Sequence, residues 1–137
     1  MRVFVDTSAL FAVLDADDRM HVRAHETWMA LVHERAVLHT TSYVLVETTA
    51  LLQSRIGVDA VRSLAADILP ILSTVWVDEG AHRSAQQALL VASRRDLSLA
   101  DCVSFEVMRR LELDAAFCFD PHFSDQGFRV TPSASVI

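Results

Sequence analysis

Two hydrophobic rhythms run through this chain, one of short apolar bursts and one of apolar residues three or four apart. Val3, Phe4 and Val5 form a burst that stops at Asp6, which suits a strand covered on both faces by helices. Thr7 or Ser8 can then cap a helix whose apolar residues are Leu10, Phe11 and Leu14. After a polar break at residues 15–18, Ala24, Trp28, Leu31 and Val32 recur at helical spacing. Residues 36–40 read as a strand, with Thr41 or Ser42 capping a helix from about residue 43 to residue 55, which Gly57 ends. Val58, Val61, Ala65, Ile68 and Leu69 extend a helical stripe to Pro70, and residues 74–77 suggest a third strand closed by Asp78.

Ala81, Ala85, Ala88, Leu89 and Ala92 fit a further helix, and residues 99–111 the next. Residues 115–119 make a strand ending at Asp120, and residues 127–130 a short last one. Strands alternating with helices predict an α/β fold: a three-layer α/β/α sandwich with a mostly parallel sheet of about five strands. Repeats, linkers and low-complexity stretches are missing, so residues 1–137 are expected to form a single domain. The 52% of hydrophobic residues provide material for one real core.

Apolar runs fall short of the ~20 residues of a membrane span, and the first residues lack the order of a secretory signal, so a cytoplasmic protein is expected. Cys102 and Cys118 each lie in an apolar segment, as ordinary buried thiols do. The net charge of −6 argues weakly against a phosphate-backbone partner, but carboxylates grouped around divalent cations present little negative charge once metal is bound. All twelve basic residues are Arg, which excludes mechanisms built on a lysine, including those of P-loop NTPases and Schiff-base enzymes.

Four acids sit against expectation. Asp6 and Asp120 end strands, where α/β sheets place their ligands, although helix capping and turn formation would also account for them. Glu47 lies on the helical stripe of Val44 and Leu51, which points it inward, where a carboxylate needs a cation, a hydrogen-bond partner or a raised pKa, although reaching solvent at the helix end or pairing with an Arg would also account for it. Asp101 follows Ser98 by three positions, an approximate capping box at a helix start. Together the four fall on one edge of the sheet. Like charges there would repel, and Mg²⁺ or Mn²⁺, which take oxygen ligands, would resolve the repulsion.

The stretch from Val5 to Leu10, Glu47 in its apolar helix, the stretch from Leu97 to Asp101, and Phe119-Asp120-Pro121-His122-Phe123 together resemble the signature segments of PIN-domain nucleases. They are especially similar to VapC-type toxins of bacterial toxin–antitoxin pairs. The resemblance implies a PIN-like fold and a Mg²⁺- or Mn²⁺-dependent endoribonuclease that hydrolyses RNA with metal-activated water. It carries over Asp6, Glu47, Asp101 and Asp120 as catalytic and metal-binding acids, with Ser8 supporting the first and Asp125 an alternative for the last. It further implies an RNA substrate, a cognate antitoxin and a homodimer, and the apolar helices at residues 44–52 and 58–69 have hydrophobic surface to spare for association.

Arg94, Arg95, Arg109 and Arg110 are candidates for tracking the RNA backbone. His21 and His25 are four apart, but Glu26 does not sit between them as in His-Glu-x-x-His, and a solvated face is the better reading. His33, His39, His82 and His122 are scattered, and the metal chemistry requires no histidine. Phosphoaspartate enzymes and receiver domains are disfavoured by Ser8 and by the missing lysine. The alternatives are an RNA-processing nuclease without a toxin role and a non-catalytic PIN-fold binding module, from which metal binding separates the enzyme.

Overall fold

The computed structural model describes residues 1–133. Its strands are β1 (Arg2–Val5), β2 (Val37–Thr41), β3 (Leu72–Val75), β4 (Ala115–Phe117) and β5 (Arg129–Thr131), joined in the order β3-β2-β1-β4-β5 with every pairing parallel. The helices are α1 (Thr7–Leu14), α2 (His21–His33), α3 (Ser42–Arg55), α4 (Val58–Ser63), α5 (Glu79–Ala92), α6 (Leu99–Arg110) and α7 (His122–Asp125). From β1 the chain steps outward to β2 and β3, then crosses back to β4 and β5. Right-handed crossovers in opposite directions put helices on both faces of the sheet. The strand order reverses between β1 and β4, and a crevice opens at the carboxyl ends of strands at such a reversal.

The core centres on Phe4, Leu10, Leu38, Leu52, Val103, Met108, Phe117 and Phe123, all essentially inaccessible to solvent. Phe123 packs at 6.1 Å from Phe4 and edge-on at 5.0 Å from Phe105, geometries that add to simple burial. This anchors the short α7 to the sheet.

Local boundaries differ from the sequence reading for identifiable reasons. Asp6 itself, not Thr7 or Ser8, is the N-cap of α1. β3 begins and ends two residues before the expected span, because Leu72 pairs with Leu38 and Val75 with Thr41, where β2 ends; Trp76 is left 77% exposed. Asp78 caps α5 through Ala81 N–H at 2.8 Å and does not close the strand. β4 stops at Phe117 because Phe119 N–H turns to donate to the Ser8 hydroxyl. β5 starts later than expected since Gly127, at φ +88°, belongs to the turn closing α7. The stripe after Gly57 is real, but α4 gives way to a π-helical turn at Leu64–Ile68 and a 3₁₀ turn at Leu69–Ile71 around Pro70. Among the described residues, no helix is long and apolar enough to cross a membrane.

Candidate metal centre

Asp6 leaves β1 at the reversal point, and its backbone N–H continues the ladder by donating to Phe117 O at 3.1 Å. Its carboxylate is buried. Oδ2 accepts from Ser8 N–H at 3.2 Å and from the Ser8 hydroxyl at 2.7 Å. That hydroxyl in turn accepts from Phe119 N–H at 2.9 Å, so Ser8 ties the first acid to the segment that carries Asp120. Burial pushes the Asp6 pKa up to about 7, the Ser8 bonds oppose this, and the charges of Asp101 and Asp120 add to it.

Glu47 lies on α3 beside a buried pair of threonines that fix the helix. The Thr7 hydroxyl donates to Val44 O at 3.3 Å, and Thr48 donates to Thr7 at 3.1 Å, pinning α3 against the start of α1. The fully buried stripe of α3 is Val44, Thr48 and Leu52, with Glu47 half-buried at its margin. A correction to the inward-pointing reading follows: Glu47 faces the rim of the cluster, not the core. Its pKa is raised, first by burial and then by the charges of Asp101 and Asp120, with Thr7 partly offsetting.

Asp101 fills two roles at once. It completes a capping box, its N–H donating to Ser98 Oγ at 3.0 Å and its Oδ2 accepting from Ser98 N–H at 3.1 Å. It is also buried, and its pKa is raised chiefly by that burial and further by Asp120, against the Ser98 contacts. Asp120 lies beyond β4, where Oδ1 accepts from His122 N–H at 2.9 Å. Asp125 is exposed on α7.

One member of this constellation escaped the sequence reading. His122 places Nδ1 2.8 Å from Asp120 Oδ1 and 3.7 Å from Asp101 Oδ2, while Nε2 lies 3.2 Å from Asp96 Oδ2. Asp101, Asp120 and His122 offer ligand atoms all within 4.8 Å of one another, the one such group among the described residues. The sequence signal was adjacency: His122 follows Asp120 by two in a turn held by the buried Phe123. Burial of its ring opposes charging, but Asp96, Asp120 and Asp101 outweigh it and raise the pKa.

The donor set fits a divalent cation: several carboxylates on one edge, two of them buried, with like charges that lift one another's pKa values. The site is open. A concavity of about 470 Å³ lies at the amino-terminal edge of the sheet among Met1, Val3, Leu31, Ala115 and Val130 and holds none of these acids. Arg94 pairs with Asp96 at 2.8 Å. Arg109 donates to Gln126 and stacks over Phe128, and Arg110 pairs with Glu106. Eight residues along α6 from Asp101 is about 12 Å, so Arg109 stands away from the acids. His21 and His25 stack at 6.0 Å, with His21 Nδ1 against Ala12 O, and gather no third ligand among the described residues. Both cysteines are free and buried, and burial pushes the Cys118 thiol up to about 12.

A family model for the PIN domain matches residues 3–129. The chain is 33% identical over 127 residues to the 23S rRNA-specific endonuclease VapC20 of two Mycobacterium tuberculosis strains, covering 92% of this chain and 95% of that protein. The crystal structure of that VapC20, a sarcin–ricin loop cleaving toxin, superposes with a TM-score of 0.82 at 32% identity, over 92% of this chain and 95% of the other. FitAcB from Neisseria gonorrhoeae shares the fold, with a TM-score of 0.67 at 15% identity, covering 95% and 96% of the two chains.

Proposed function

The chain belongs to the PIN-domain family, and from that premise we propose that it is a divalent-cation-dependent endoribonuclease and the toxin of a toxin–antitoxin pair. The observation that carries the proposal is convergence: Asp6, Glu47, Asp101 and Asp120 come from four separate segments to the carboxyl edge where the strand order reverses. Asp6, Asp101 and Asp120 would hold Mg²⁺ or Mn²⁺, with Ser8 fixing the rotamer of Asp6. A bound cation supplies charge neutralisation at the scissile phosphate and brings the pKa of water toward neutrality.

The chain's own residues do the rest. Glu47, at the rim with a raised pKa, is placed to orient the attacking water or to complete the ligand set. A polymer backbone would run along this edge, and Arg95, in the loop before α6, is the basic residue of that loop left to meet it, since Arg94 is engaged with Asp96. Because the related VapC20 is named for 23S rRNA and the sarcin–ricin loop, that loop is the first substrate to try. Purified protein incubated with ribosomes and Mn²⁺ is expected to give one cut within it by primer extension; intact 23S rRNA would send the search to tRNA and mRNA.

A cytoplasmic location and a cognate antitoxin accord with this reading, and so does a dimer. Val46 is 69% exposed on α3, with Ile56 and Val58 exposed close by in sequence, and such apolar surface commonly marks association. Light scattering at micromolar concentration is expected to report a homodimer, and Val46→Glu to shift it toward monomer. Wild-type protein that is monomeric throughout would contradict the assembly.

A further inference from the structure

We propose that His122 is a nitrogen ligand of the metal centre, which makes the site prefer a transition-metal dication such as Mn²⁺ over Mg²⁺. The inference rests on the nuclease reading and deepens it. Three geometric facts support it. First, Nε2 lies in hydrogen-bonding alignment with Asp96 Oδ2 at 3.2 Å, and Asp96 is itself clamped by Arg94 through Nε at 3.2 Å and Nη2 at 2.8 Å. A carboxylate accepting from one ring nitrogen fixes the imidazole tautomer and aims the other nitrogen's lone pair, the arrangement that metal-binding histidines commonly show.

Second, the aimed atom has no hydrogen bond among the described residues. Nδ1 is buried, and although Asp120 Oδ1 is only 2.8 Å away, the alignment does not suit a hydrogen bond. With the proton on Nε2, a lone pair faces the carboxylates of Asp120 and Asp101, the latter at 3.7 Å. Electron-rich atoms so placed repel unless a proton or a metal cation lies among them, and a dication can displace that proton. Third, the three ligand atoms are already gathered within 4.8 Å of one another, with Nδ1 at 2.8 Å from Asp120 Oδ1 and 3.7 Å from Asp101 Oδ2, so small side-chain adjustments would bring them round one ion. An imidazole among carboxylates discriminates against Mg²⁺, which prefers an all-oxygen shell, and in favour of softer dications.

Pulsed electron paramagnetic resonance on the full chain with Mn²⁺ alone tests this without RNA. The wild type is expected to show hyperfine coupling from one directly bound nitrogen, altered by heavy-nitrogen labelling of histidine. In His122→Asn, checked for folding by its melting curve, Mn²⁺ still binds but the coupling is lost. Calorimetry should find Mn²⁺ affinity weakened about tenfold or more, with Mg²⁺ affinity changed less than about threefold. Asp96→Asn should weaken Mn²⁺ binding while keeping the coupling. Bound Mn²⁺ without nitrogen coupling in the wild type, or coupling that persists in His122→Asn, would overturn the ligand assignment and leave the nuclease intact so long as Mn²⁺ supports cleavage. Neither Mn²⁺ binding nor cleavage would overturn both.

Discussion

Asp101→Asn is expected to lower RNA cleavage by about a thousandfold or more, a loss of ~4 kcal/mol of transition-state stabilisation, while leaving the metal-free protein as stable as the wild type or more so. The capping box explains why the two effects separate. Asp101 Oδ2 accepts from Ser98 N–H, and an amide oxygen does the same, so the start of α6 keeps its partner. Removing the charge also relieves repulsion with Asp120, which raises the Asp101 pKa in the folded protein. Were Asp101 only a cap, the variant would lose some ~0.5–1 kcal/mol of stability and remain active. Melting curves with and without Mn²⁺, beside cleavage rates, distinguish the cases. A variant less stable yet fully active would exclude Asp101 from the metal centre.

Stability of the metal-free protein is expected to fall as pH rises from about 4 to about 7, the opposite of a salt-bridged acid. In the unfolded chain Asp6 ionises near its ordinary value of 3.8, whereas burial holds its folded pKa at about 7. Between those values the folded state keeps a proton that the unfolded state has released, so each step up in pH favours unfolding, and above pH 7 the effect is complete. A shift of about three pKa units corresponds to an upper bound of ~4 kcal/mol. Glu47 and Asp101, also raised, act in the same direction. A divalent cation requires the ionised acids, so its stabilising effect should grow over the same interval. Thermal melts across this range, with and without Mn²⁺, are expected to diverge as pH increases, and Asp6→Asn to flatten the metal-free curve. Metal-free stability that rises with pH, or a decline unchanged in Asp6→Asn, would contradict the burial of a protonated Asp6.

The sheet was legible in the sequence because its strands are buried bursts bounded by polar residues, and the α/β alternation with a five-stranded sheet follows from that pattern. What failed was local. The run Val75-Trp76-Val77 looks like a strand, but β2 ends at Thr41 and leaves no partner for Trp76. Glu47 looked core-facing because Val44 and Leu51 flank it at helical spacing, yet the helix turns its Val44, Thr48 and Leu52 edge inward.

For the site, capping and clustering are rival readings of Asp6 and Asp101 in the sequence, whereas in the structure each takes part in a helix cap and also lies within electrostatic reach of the other acids. A helix start is where backbone N–H groups hold a carboxylate steady, so the two uses reinforce each other. In the sequence His122 forms no spaced pair with another histidine and so gives no ligand signal of that kind. Its partners Asp96 and Asp101 come from another segment, and only the fold brings them together. Arg109 and Arg110 looked like RNA contacts by charge alone, but their bonds to Gln126 and Glu106 occupy them elsewhere.

The central claim is that the acid cluster hydrolyses RNA through a bound dication, and end-group analysis of the cleaved RNA tests it most directly. Purified protein with Mn²⁺ should leave 5′-phosphate and 3′-hydroxyl ends, lose all cleavage in excess EDTA and regain it when Mn²⁺ is restored. Cleavage that persists in EDTA, or products ending in 2′,3′-cyclic phosphate, would contradict the account.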